Sequence, residues 1–138
     1  MPAAAEEAIR AWLEDVRSRA GAALLLAGGE LGPPLDRRPV LAEVFDPGAL
    51  AGLLALTTRG AFTGDVCRCL GSVTVALLDQ DAEFTASASL HGTDTVSWER
   101  TRFRNDLTVA DPAGLAAWLR RAGLDLGPGP SGPARGGA

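Results

Sequence analysis

Apolar side chains recur at helical spacing over residues 3–20: Ile9, Trp12, Leu13, Val16 and Ala20 form one stripe, with Glu6, Arg10, Glu14, Arg17 and Arg19 away from it. Acidic residues near its start and basic ones near its end suit the helix dipole. Gly21 interrupts the pattern, and the apolar run that follows to Ala27 fits either a continued helix or a buried strand. Residues 28–39, rich in Gly and Pro, predict a surface loop, and residues 40–45 a short strand. Asp46-Pro47 is a helix start, since Asp caps free amides and Pro at the first position loses no needed donor. Leu50, Leu53 and Leu54 are its buried stripe, with Gly60 as a stop and residues 61–72 as a loop.

The spacing then changes to period two. Val73, Val75 and Leu77 share a face, as do Phe84, Ala86, Ala88 and Leu90, and the polar Asp79-Gln80-Asp81-Ala82 link predicts a hairpin. Val96 and Trp98 face inward from a third strand. Phe103, Leu107 and Val109 suggest a fourth, broken near Asn105 and Asp106. Asp111-Pro112 repeats the helix start, followed by Leu115, Trp118, Leu119 and a closing Gly123. The reading is one α+β domain over residues 1–126: a mainly antiparallel sheet of three to five strands packed by two or three helices, with the three tryptophans in one core. Residues 127–138 have nothing to bury and predict a disordered tail.

Composition narrows the function. All 13 basic residues are Arg, the mark of GC-rich coding. A net charge of −4 argues against nucleic-acid binding by bulk electrostatics and against attraction to an anionic membrane. The start is acidic where a secretory signal is basic, and the longest apolar run is too short for a bilayer. Two cysteines one residue apart are no secreted disulfide scaffold, so a reducing cytoplasm is the expected home.

Cys67-Arg68-Cys69 carries the main candidate chemistry. Two thiols in a loop can turn toward one metal ion, and Arg68 between them favours the thiolate. Period-two counting sets the lone histidine, His91, on the face opposite Phe84 and Leu90, outside the core. An antiparallel hairpin would bring His91 back to the level of Leu70 and Gly71, making Cys67, Cys69 and His91 a candidate set for zinc or another thiophilic metal. Free cysteine is most often an inert apolar residue, and a lone Cys-x-Cys is only half a zinc site. A disulfide between the two would close a tight ring and be easily reduced.

A second candidate is the 99–104 segment. On a strand, Arg100, Arg102 and Arg104 share a face that could grip a small anionic ligand, although charges on a solvated edge strand serve equally to prevent aggregation. No nucleophile elbow, P-loop or dinucleotide fingerprint is present.

Residues 44–124 resemble a group of small proteins from GC-rich bacteria. Its pattern is a helix, a Cys-x-Cys loop, a hairpin ending Leu-His-His-Gly and a last Leu-x-x-Trp-Leu helix. The matching residues are Cys67-Arg68-Cys69-Leu70-Gly71, Leu90-His91-Gly92 and Leu115-Ala116-Ala117-Trp118-Leu119, with one histidine where the pattern has two. The resemblance implies the fold and leaves the activity open. Two functions follow from the residues. One is a non-enzymatic accessory or binding protein with a thiol and imidazole metal site and a protein partner or anionic ligand. The other is a thiol-dependent redox enzyme using the Cys-x-Cys pair.

Overall fold

The computed structural model describes residues 5–29, 33–67 and 71–126; the expected tail at 127–138 lies outside them. The chain is α+β. Among the described residues a single sheet of seven strands runs in the order β2-β1-β4-β5-β6-β7-β3, every neighbouring pair antiparallel. They are β1 (Ala22–Ala27), β2 (Val40–Val44), β3 (Gly60–Phe62), β4 (Val73–Leu78), β5 (Phe84–His91), β6 (Thr95–Trp98) and β7 (Leu107–Val109). The helices are α1 (Glu6–Arg19), α2 (Pro47–Thr58), α3 (Arg100–Phe103) and α4 (Pro112–Arg121). Sheet and helices both exceed the sequence expectation, because β3 and α3 are too short to generate a periodic signal. No helix among the described residues is long and apolar enough to cross a membrane.

Ile9, Leu13 and Val16 of α1, Leu50, Leu53 and Leu54 of α2, and Leu115 and Leu119 of α4 form one core. They pack on Val73, Val75 and Leu77 of β4, Ala86, Ala88 and Leu90 of β5, and Val96 and Trp98 of β6. Three helices therefore cover one face of the sheet. Trp98 is buried and donates its indole N–H to the carbonyl of Thr57 at 2.9 Å, tying β6 to the last turn of α2. Trp118 donates likewise to Ala49 at 3.1 Å, tying α4 to the first turn of the same helix. Trp12 is half-buried and meets Trp98 and Phe103 edge-on, at centroid distances of 6.2 and 5.0 Å.

The apolar run of uncertain type is β1, the second strand from one edge, paired on both sides. Gly60 does not merely end α2. Its φ of 149° opens β3, and a Cβ there would fall 1.8 Å from the carbonyl oxygen of Thr108 on β7, so only glycine fits that pairing. The strand expected over 99–104 is instead a helical turn. Glu99 (φ 43°) and Arg104 (φ 51°) flank α3 in left-handed conformation and reverse the chain between β6 and β7. The three arginines accordingly lie on a turn rather than along one face of a strand. Arg102 rests over the rings of Phe103 and Trp12, at 4.8 and 5.6 Å.

Both Asp-Pro helix starts are present. Asp46 accepts from the N–H of Ala49 at 2.8 Å and Asp111 from that of Gly114 at 2.9 Å, each with Pro at the start of the helix. Asp46→Ala and Asp111→Ala should each lower stability by about 1 kcal/mol in urea unfolding. A neutral result at both would mean the caps contribute nothing beyond what solvent supplies.

Candidate thiol and imidazole site

The second face of the sheet carries a buried polar row. Leu26, Thr74, Ser89 and Ser97 lie opposite one another across β1, β4, β5 and β6. None of these four is more than 1% exposed. Small hydroxyl side chains at alternate strand positions ordinarily signal a solvated face. Here that face is closed to solvent, and the row is flanked by two charged residues. At one end Arg38 is buried and donates to Thr74 Oγ1 at 2.7 Å and to the carbonyl of Pro33 at 2.6 Å. At the other end stands Asp106, also buried.

His91 belongs to this face. The alternation argument set it opposite Phe84 and Leu90. This holds for Leu90, but a register shift precedes Ala86 and leaves Phe84 exposed. The expectation of a residue outside the protein interior is corrected: His91 is 2% exposed. Its Nε2 lies 2.8 Å from Ser97 Oγ, and Ser97 Oγ donates to Asp106 Oδ1 at 2.5 Å. Ser97 has one hydroxyl proton and the carboxylate only accepts, so the hydroxyl must accept from Nε2–H. That fixes neutral His91 as the Nε2-protonated tautomer. Burial lowers its pKa below 6.5, and the Arg100 charge adds to the effect, while Asp106 and Asp94 pull the other way. The serine is no nucleophile in this order of contacts, because it sits between the other two and is buried.

Asp106 also organises the cysteine segment. Its Oδ2 accepts from the Cys67 N–H at 2.8 Å, its own N–H donates to Asp65 O at 2.7 Å, and its carbonyl accepts from Thr63 N–H at 2.9 Å. Asn105 Oδ1 accepts from Gly64 N–H at 2.7 Å. From the other side Arg100 Nη2 donates to the Cys67 carbonyl at 2.5 Å. Cys67 is half-buried, its N–H and C=O both held by side chains far away in sequence.

No family model matches the sequence, and no curated protein or solved structure is significantly similar to the chain. The site must be read from its own chemistry.

Cys67 is disulfide-bonded, and the chain contains one other cysteine, Cys69, which lies outside the described residues. The expected return of the hairpin is observed at Gly71. Ser72 N–H donates to Leu90 O at 3.0 Å, and a Cβ on Gly71 (φ 80°) would lie 3.1 Å from that oxygen and 3.4 Å from His91 Cε1. Gly71 thus stands beside His91 just before β4. Among the described residues no group of three or more His, Cys, Asp or Glu side chains is arranged to hold a metal ion. Sequence reasoning did not find Ser97 and Asp106 as site residues, and it singled out Arg100 only as one of three strand arginines for an anion, not as a partner of Cys67. The available signal was the alternation Ser87, Ser89, His91 and then Ser97, taken for a wet face.

The histidine makes acid sensitivity testable. Between its lowered folded pKa and 6.5, the unfolded chain takes up a proton that the folded protein excludes. Its contribution to stability is therefore complete above pH 6.5 and is lost as the pH falls below it. The melting temperature should drop from pH 7.5 to pH 5.5, and His91→Gln, which keeps an N–H donor, should flatten that drop. An equally steep drop in the variant would assign the acid sensitivity to other groups.

Proposed function

We propose that the protein works by thiol–disulfide exchange, with Cys67 and Cys69 as the working pair. The observation that carries this reading is the state of Cys67: it is in a disulfide while its peptide groups are fixed by Asp106 and Arg100. Asp106 and Arg100 position this part of the loop through the Cys67 backbone groups. Half-exposure and a neighbouring guanidinium are the surroundings in which a cysteine is reactive rather than inert. A close-spaced pair is moreover suited to reversible chemistry rather than to stapling a fold, since bridging it constrains very little unfolded chain.

The metal reading draws on the same loop and a separate observation, His91 beside Gly71 with its Nε2–H already oriented by Ser97 and Asp106. A ligating imidazole is commonly held in this way by its other nitrogen. It requires thiolates, however, and the disulfide removes one from Cys67.

One experiment separates the two. Untagged protein is equilibrated across ratios of reduced to oxidised dithiothreitol, then alkylated and weighed. We expect two thiols to appear together and to disappear together on reoxidation, with the circular dichroism spectrum unchanged. Thiols that never re-pair after reduction would end the redox reading. One equivalent of zinc retained by the reduced protein, and lost in both Cys67→Ser and His91→Gln, would replace it with the metal reading.

A further inference from the structure

Arg100 is only half used. Its Nη2 donates to the Cys67 carbonyl, whereas Nη1 is buried and has no hydrogen-bond partner among the described residues. An unsatisfied buried donor on a charged group is costly, and native proteins rarely keep one without a use. A guanidinium is a rigid fork, so fixing Nη2 fixes Nη1 as well. The carbonyl oxygen and sulfur of one cysteine are separated by about 3–5 Å through covalent geometry. With Nη2 on that carbonyl, covalent geometry keeps the charge of Arg100 within about 8 Å of the Cys67 sulfur.

Other charges around Cys67 do not duplicate this one. The Asp106 carboxylate opposes a thiolate, but its oxygens already accept from Ser97 and the Cys67 N–H, which disperse its charge. Asp65, on the loop itself, is exposed and screened. His91 is the Nε2-protonated tautomer and brings no positive charge while neutral. Arg68 follows in sequence, outside the described residues.

We propose that Arg100 is the positioning cation of the exchange step, its unengaged Nη1 receiving the Cys67 thiolate when the disulfide opens. The inference rests on the thiol–disulfide reading above. In the step, a thiolate of an external dithiol bonds to the other sulfur of the disulfide. The S–S bond breaks, and its electron pair leaves on Cys67. The second thiol of the reductant then displaces the mixed disulfide, so the reductant is oxidised by two electrons. The proton of that second thiol passes to the displaced sulfur, so the protein leaves the step as one thiol and one thiolate with no net proton released. In the disulfide state the sulfur is neutral and Nη1 has no partner among the described residues; in the reduced state the two charges meet.

The test compares wild type, Arg100→Gln and Arg100→Lys in dithiothreitol redox buffer at pH 7. Loss of the cation should favour the disulfide about tenfold in Arg100→Gln, about 30 mV for a two-electron couple. Arg100→Lys, which keeps charge and a donor, should stay within about threefold of wild type. A second measurement follows iodoacetamide alkylation at pH 7 with Cys69→Ser in the background, leaving Cys67 as the only thiol. The rate should fall about tenfold when Arg100→Gln is added. Melting curves of each variant identify any that unfold, and the alkylation rate of Arg100→Lys then decides: near wild type supports the inference, a tenfold fall overturns it. An unchanged equilibrium and rate in folded Arg100→Gln would also overturn it. If wild type exchanges reversibly and the Arg100 variants match it, only this inference fails; if wild type does not re-pair, the reading beneath it fails first.

Discussion

A carboxylate taken out of water must be compensated where it is buried, because leaving it unpaired costs several kcal/mol. Asp106 meets that constraint with the Ser97 hydroxyl and the Cys67 N–H, and its own backbone groups bind Asp65 and Thr63. The 63–67 segment follows the path it does because it supplies these partners. In turn the carboxylate orders Ser97, and Ser97 dictates which nitrogen of His91 carries the proton. The position of the cysteine and the tautomer of the histidine are thus consequences of one buried charge.

The two faces of the sheet solve different problems. On the helical face apolar area decides, and the few polar groups there are consumed by packing: the indole N–H groups of Trp98 and Trp118 satisfy carbonyls at the two ends of α2. On the other face small hydroxyls are buried beside Leu26 and Ala76, and their burial is tolerable because they have partners, as Thr74 has in Arg38 and Ser97 in Asp106. A core of that kind adds little apolar driving force, so the helical face must carry most of the stability while the hydroxyl face fixes geometry.

The long periodic segments were legible. The hairpin of β4 and β5, the stripe of α1 and both Asp-Pro caps follow from local rules that their tertiary surroundings reinforce. The four-residue α3 was not, because Arg100, Arg102 and Phe103 have no preference strong enough to reveal a reversal that depends on left-handed Glu99 and Arg104. β3 was missed for a similar reason: three residues pair only because Gly60 lets the backbone approach Thr108. His91 shows a different limit. Alternation identifies the face of a side chain but not whether anything covers that face. Covering depends on the loops that carry Arg38 and Cys67, whose paths are set by long-range hydrogen bonds.

The geometry around His91 does not by itself choose between redox and metal chemistry. An Nε2–H anchored through Ser97 to a carboxylate orients the ring equally well for a ligand role and for a neutral structural role. The discriminating features lie at Cys67. A metal centre there would gain most from two thiolates and from a cation-free surrounding, since each nearby positive charge opposes a bound metal ion. Arg100 is placed the opposite way, on the carbonyl of Cys67 with a buried donor to spare, and its charge also helps to keep His91 neutral. A guanidinium stabilises a lone thiolate and penalises a metal cation at the same spot. This charge arrangement around Cys67 is what weighs for the proposed exchange reading over the metal one.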